Sequence, residues 1–241
     1  MVKRRHFLLP PSDGFDLAKP LATALCTSGL AVEGKIARAA GFSVVVGGGD
    51  RDRTRLLLEM ATAQTGCLVS FGIAGGLAPG LAAGTVIVSG EVISERQSWK
   101  VEPQHRHRLR EFARSVHAVE GAVFGASSII ATQSEKQRIW AATGALAVDL
   151  ESEIVAQTAT ALGIPFVVLR TIADTARRDL PPASLIPLAL NGTPNHSRVF
   201  AEILRRPFQL AGMIGLAHET GRALSALIGP ARALYAVMGA A

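Results

Sequence analysis

The stretch VDLESEIVAQTATALGIPFVVLRTIADTA, residues 148–176, decides the fold. An apolar run ends at Asp149, a helical stretch follows from Glu151 to Leu162, and a second apolar run occupies 164–173. Continuous runs such as PFVVL here and TVIVS at 85–89 suit strands covered on both faces, because a half-exposed strand would alternate polar and apolar residues. This pattern predicts an α/β protein with a central mixed, mostly parallel sheet flanked by helices.

Working outward, the same rhythm recurs. Apolar runs at 42–49, 67–76, 85–93, 121–131 and 145–150 alternate with helical stretches near 52–64 and 104–116. After Asp174 the pattern changes to two expected C-terminal helices, 183–205 and 208–228, the second with apolar residues at helical spacing. Residues 1–20 contain Pro10, Pro11, Gly14 and Pro20 and predict an irregular extension before one domain over 21–241.

Composition narrows the class. At 241 residues and 49% hydrophobic content, the chain can bury one sizeable α/β core. The net charge of +6 favours anionic partners, although no nucleic-acid-binding motif accompanies the basic segments, so no nucleic-acid partner is expected. Cys26 and Cys67 stand far apart, outside any C-x-x-C spacing, and read as buried thiols of a reducing, cytoplasmic compartment, with a catalytic thiol as the alternative. His105 and His107 lack an evident third ligand, so no metal site is expected. No stretch is apolar enough to span a bilayer, which limits membrane contact to the periphery.

Two further features concern chemistry. FGIAGGLAPGLAAGTVIVSGEVI, residues 71–93, runs from a strand into a glycine-rich turn, and Gly72, Ile73, Ala74 and Gly75 let the backbone approach a ligand closely. An ordinary tight turn would look the same. Asp149 suits a helix cap, whereas Glu151 and Asp174 lie at the carboxyl ends of successive strands, the edge where open α/β sheets bind ligands. A helix cap before TARRD is the alternative for Asp174.

Together, the Gly-Gly-Leu turn with its following strand (75–88), the acidic-hydrophobic-Glu signature (149–151) and the PFVV-L-R-x-I-x-D strand ending at Asp174 resemble the purine nucleoside phosphorylase and methylthioadenosine/adenosylhomocysteine nucleosidase family. The resemblance runs in order over about 42–176. SFGIAGGL (70–77) and TSGLAVEGKIA (27–37) further resemble its hopanoid-associated branch, which implies removal of adenine from adenosylhopane, a nucleoside with a polycyclic lipid at its 5′ position. A general purine phosphorylase, a plain nucleosidase and a non-catalytic nucleoside-binding module are the competing readings.

The resemblance implies roles residue by residue. Asp174 matches the aspartate that protonates or hydrogen-bonds the purine N7, and Glu151, with Leu150 replacing the usual methionine, matches the ribose-binding glutamate. Glu33 matches the glutamate that positions water, or else is a solvent-facing helix residue. Ile129 and Ile130 stand where the family places an aromatic and an aliphatic residue against the purine. No organic cofactor is implied; inorganic phosphate is a candidate co-substrate, and members are generally homo-oligomers.

Departures from the family pattern affect the acceptor and the 5′ end. Ile73 replaces the serine usual in the glycine-rich loop, Ser70 stands where phosphorylases of the hexameric type carry an arginine, and Ala173 replaces the serine before the aspartate. Gly48, Gly49, Arg51 and Arg53, in GGGDRDR, offer a substitute phosphate site at a helix start. The loop ERQSWKVEP (95–103) is short for the family, which would leave the 5′ end open and turn Trp99 toward a membrane interface.

Overall fold

The structure, a computed structural model, describes residues 24–62 and 65–239, so the extension expected at 1–20 lies outside the described residues. Ten strands run as β1 Ala24–Ser28, β2 Ser43–Val46, β3 Cys67–Gly76, β4 Val86–Ser89, β5 Glu91–Ile93, β6 Ser98–Lys100, β7 Val119–Glu120, β8 Val123–Gly125, β9 Ala147–Asp149 and β10 Phe166–Asp174. Seven α-helices accompany them: α1 Ala31–Ala40, α2 Arg51–Ala61, α3 Pro103–Ser115, α4 Gln133–Thr143, α5 Ser152–Leu162, α6 His196–Arg205 and α7 Leu210–Gly239.

All ten strands form one mixed sheet, ordered β6-β5-β8-β9-β3-β10-β4-β7, with β1 on β3 and β2 on β1. Parallel pairs predominate; only β10 with β4, β3 with β9 and β5 with β6 are antiparallel. The expected class is therefore the observed one. Its center is the pair β3 and β10, parallel from Phe166 opposite Leu68 to Asp174 opposite Gly75.

The other edge of β3 forks. Over Cys67–Ser70 it pairs with β1, and at Gly75–Gly76 it pairs with β9. Between these pairings, at 71–74, no strand of the described residues occupies that edge. Backbone groups left there need other partners, and side chains supply them, as described below.

Helices cover both faces. On one, Leu58 of α2 and Ile154, Val155 and Ala159 of α5 pack into a cluster with Leu68, Val168 and Ile172. On the other, Ala37 of α1, Phe112 of α3, and Leu227, Ala231 and Leu234 of α7 pack on Val69, Phe71 and Leu169.

Four sequence expectations require correction. The strand β1 was not anticipated, because ALCTS is short and contains two polar residues. The helix expected at 183–205 is a 3-10 turn, Pro182–Leu185, followed by irregular backbone and then α6; Pro187, Pro194 and Gly192, at φ 76°, interrupt it. The last helix continues beyond 228 through Pro230, because Ala231 and Leu234 are buried on the sheet and tertiary packing outweighs the local stop signal. Finally, Trp99 is only 8% exposed and sits in the core beside Val92 and Val101, so it does not face a membrane.

Candidate active site

The fork in the sheet opens into a cavity of about 560 Å³. Its floor is the end of β3, represented by Ile73, Ala74 and Gly75, and its walls carry Glu33, Glu151 and Asp174. Three carboxylates from α1, the start of α5 and the end of β10 thus meet in one place, and each is at least nine-tenths buried.

Arg170 organises the interior side. It is 1% exposed, sits in the middle of β10, and its guanidinium reaches Asp149 at 2.6 Å and Glu151 Oε2 at 3.1 Å. It also donates to Ser70 Oγ at 2.7 Å and to the Ile73 carbonyl at 3.2 Å. The Ile73 N–H in turn donates to Glu33 Oε1 at 2.8 Å, while Leu30 N–H donates to Glu33 Oε2 at 2.7 Å. Both backbone groups of Ile73, freed where the sheet forks, are therefore satisfied by site side chains.

The glycines make this approach possible. A Cβ on Gly72 would stand 2.4 Å from Glu33 Oε1 and 2.7 Å from Arg170 Nη1. One on Gly29 would stand 2.6 Å from Glu151 Oε1. The family-expected serine at position 73 is not needed for this contact, since the backbone of Ile73 makes it.

Asp149 serves the helix rather than the cavity's chemistry. Its Oδ1 accepts the Ser152 N–H at 2.9 Å, its Oδ2 accepts the Ser152 hydroxyl, and that hydroxyl lies 2.8 Å from Ser70 Oγ. Ser70 belongs to this buried network.

Asp174 ends β10 and is not a helix cap. It pairs with Lys136 of α4, a fully buried lysine that also donates to the carbonyls of Thr175 at 3.0 Å and Arg178 at 2.8 Å. Lys136 binds Oδ2, and Oδ1 takes no hydrogen bond among the described residues. Sequence reasoning missed Lys136 and left Arg170 without a role. Arg170 had a signal, a cation within an otherwise apolar buried strand; Lys136 sits in the polar stretch QSEKQR and had none.

Burial dominates the electrostatics. It pushes Glu33 from 4.5 up to about 7, with Arg170 opposing and Glu151 reinforcing the rise. Glu151 and Asp174 are also raised by burial, against the lowering influence of Arg170 and Lys136 respectively. Burial would lower Arg170, but Asp149, Glu151 and Glu33 raise it, so it remains charged. Cys67, buried, is pushed up to about 12 and Cys26 is raised likewise, which makes both poor nucleophiles.

The remaining expected residues divide. Leu150 and Ile129 line the cavity, whereas Ile130 packs into a neighbouring core cluster with Leu77 and Val148. Gly48 and Gly49 line it, but Arg51 and Arg53 do not. Arg51 is ion-paired with Glu153 and donates to the Ala126 carbonyl at 2.9 Å. Among the described residues no group of three or more His, Cys, Asp or Glu is arranged to hold a metal.

The sheet forks over an acid-lined cavity at its carboxyl edge, the place where open α/β sheets bind ligands. Residues 44–205 match the phosphorylase superfamily, and the chain belongs to that family. A 5′-methylthioadenosine/S-adenosylhomocysteine nucleosidase of Desulfotalea psychrophila is 29% identical over 131 residues, 46% of this chain and 56% of the relative, so the match spans about half that relative's length. The fold is similar to the S-adenosylhomocysteine nucleosidase of Streptococcus pyogenes solved with 5-methylthiotubericidin, at 16% identity and TM-score 0.63, covering 90% of this chain and 99% of the other. It is also similar to a futalosine hydrolase mutant of Helicobacter pylori, at 14% identity and TM-score 0.53, covering 63% and 90%.

Proposed function

We propose that the protein hydrolyses the N-glycosidic bond of a 5′-substituted adenosine and releases adenine. The observation that carries this is the convergence of Asp174, Glu151 and Glu33 on one cavity. Breaking the bond builds positive charge on the ribose and negative charge on the departing base. Asp174, raised by burial and held by Lys136, shares a proton with the base. As it does so, Lys136 limits the charge left on the carboxylate. Glu151, fixed by Arg170, offers Oε1 as an acceptor for ribose hydroxyls. Glu33, near pKa 7, takes a proton from the attacking water.

Water is favoured over phosphate as acceptor. Arg51 is committed to Glu153, and neither Arg51 nor Arg53 lines the cavity, so the backbone of Gly48 and Gly49 would have to hold phosphate without them. Phosphate as co-substrate is the second reading, carried by those two glycines.

A large apolar 5′ substituent, of which adenosylhopane is the sequence-based choice, fits the remaining wall. Leu185, Ile186, Pro187, Leu188 and Leu190 line one side of the cavity. Incubation with adenosine, methylthioadenosine and a lipid-substituted adenosine, with and without phosphate, tests the reading. Adenine release independent of phosphate, and fastest from the lipid nucleoside, is expected; no adenine from any of the three would overturn it.

A further inference from the structure

The segment of chain that follows this apolar wall carries a run of uncovered apolar side chains. Sixteen large apolar residues are exposed among the described residues, and six of them fall between 190 and 214: Leu190, Phe200, Leu204, Phe208, Leu210 and Ile214. Phe208 is 79% exposed, and Leu190, which also lines the cavity, is 71% exposed. Leu190 thus belongs to both sets, and α6 packs on the Pro182–Leu185 turn, whose Leu185 lines the cavity.

At the centre is α6, HSRVFAEILR. Val199 and Ile203 are half-buried against the fold, while Phe200 and Leu204, four residues apart and so on one face, point outward. No residue of α6 is buried. Its apolar arc is wider than the fold covers. The helix is nevertheless firmly seated: Gln209 donates to the Glu202 carbonyl at 3.0 Å and accepts from Ala183 N–H at 2.9 Å, tying α6 to the turns on either side.

The charges select the partner. Arg198 and Arg205, both exposed and seven residues apart, lie along one side of α6, and Arg206 follows, paired with Glu202. In a twofold contact centred on α6, Arg198 of one copy would face Arg205 of the other, on a chain already at +6. A surface with negative headgroups over an apolar interior satisfies both the arginines and the phenylalanines.

We infer that α6 and the following turn, with Phe200, Leu204 and Phe208 inserted, seat the protein on an anionic lipid surface beside the cavity's edge at Leu190. This rests on the nucleoside reading for what docking delivers to the cavity, while the docking is tested apart from it. No helix of the described residues is long and apolar enough to cross a membrane, so the contact is interfacial.

The test is co-sedimentation of the full chain with vesicles of phosphatidylcholine, alone or mixed with phosphatidylglycerol. The wild type is expected to bind the mixed vesicles, less so in high salt. A combined Phe200→Ser, Leu204→Ser, Phe208→Ser variant is expected to bind at least about tenfold more weakly, since each substitution removes an apolar side chain that the lipid would bury, while still releasing adenine from methylthioadenosine. Arg198→Gln with Arg205→Gln, which keeps the apolar face, is expected to lose the preference for phosphatidylglycerol. Failure of the wild type to sediment with mixed vesicles, or equal binding by the triple variant, would overturn the inference. So would a triple variant that changes oligomeric state in light scattering while the wild type ignores vesicles, which would mark a contact between copies. Vesicle binding without adenine release from any nucleoside would instead refute the nucleoside reading and leave the docking in place.

Discussion

Glu33 shows how burial gives a carboxylate two linked consequences. Its carboxyl holds a proton up to about pH 7 in the fold, against 4.5 ordinarily, so between those values the folded state binds more protons than the unfolded chain. The contribution of Glu33 to stability is present below about 4.5 and is lost as pH rises through about 7. Thermal melting from pH 5 to 8 should show a decline that is shallower in Glu33→Gln. If Glu33 is the base, as proposed, it must be ionised to act, so kcat/KM should rise with pH through about 7, and Glu33→Gln should lower it by roughly 10²-fold or more. A pH–rate profile of the two proteins checks this. For Asp174→Asn, adenine release should fall by a similar factor of about 10²–10⁴ with the melting curve still cooperative. Of these residues Asp174 was visible in one dimension, as an acid at the end of an apolar strand, whereas Glu33, on helix α1, was singled out by the family resemblance alone. Lys136 was invisible, since nothing in QSEKQR distinguishes a buried lysine from its solvated neighbours.

At the level of elements, β10 carries both the organising cation and the acid, four residues apart, and its pairing with β3 fixes where they sit. Arg170→Met would leave Asp149 and Glu151 buried without their cation, and chemical denaturation should report a loss of about 3–5 kcal/mol. Gly72→Ala would place a methyl against Glu33 and Arg170 in the gap of the fork; activity should fall further than stability, as measured by adenine release alongside denaturant midpoint. The C-terminal helix tests packing alone. Leu227, fully buried on the sheet, should cost about 2–5 kcal/mol when replaced by Ala, with kcat unaffected in the folded fraction. Periodicity revealed α2, α3 and α5 closely. It overextended the helix at 183–205, where prolines and Gly192 prevail, and cut short α7, whose last turns are held by the sheet.

For the whole molecule, the sheet, its two helical faces and the cavity are one construction, and a ligand that fits the cavity should stabilise all of it. Adenine at a hundredfold excess over its Kd should add about 2.7 kcal/mol to unfolding, read as a rise in Tm, and Glu33→Gln with Asp174→Asn should abolish the rise. The amino-acid sequence by itself determined the α/β class, the mostly parallel sheet and the acids at strand ends, because burial on two faces and strand-to-helix alternation are written locally as apolar runs. Only the tertiary structure decided which groups meet. The fork of β3 between β1 and β9 depends on pairings between residues far apart in the chain, and that fork leaves the backbone of Ile73 open for Glu33 and Arg170. The same long-range packing brings Lys136 behind Asp174, draws Arg51 away to Glu153, buries Trp99, and leaves α6 with half of its apolar face uncovered.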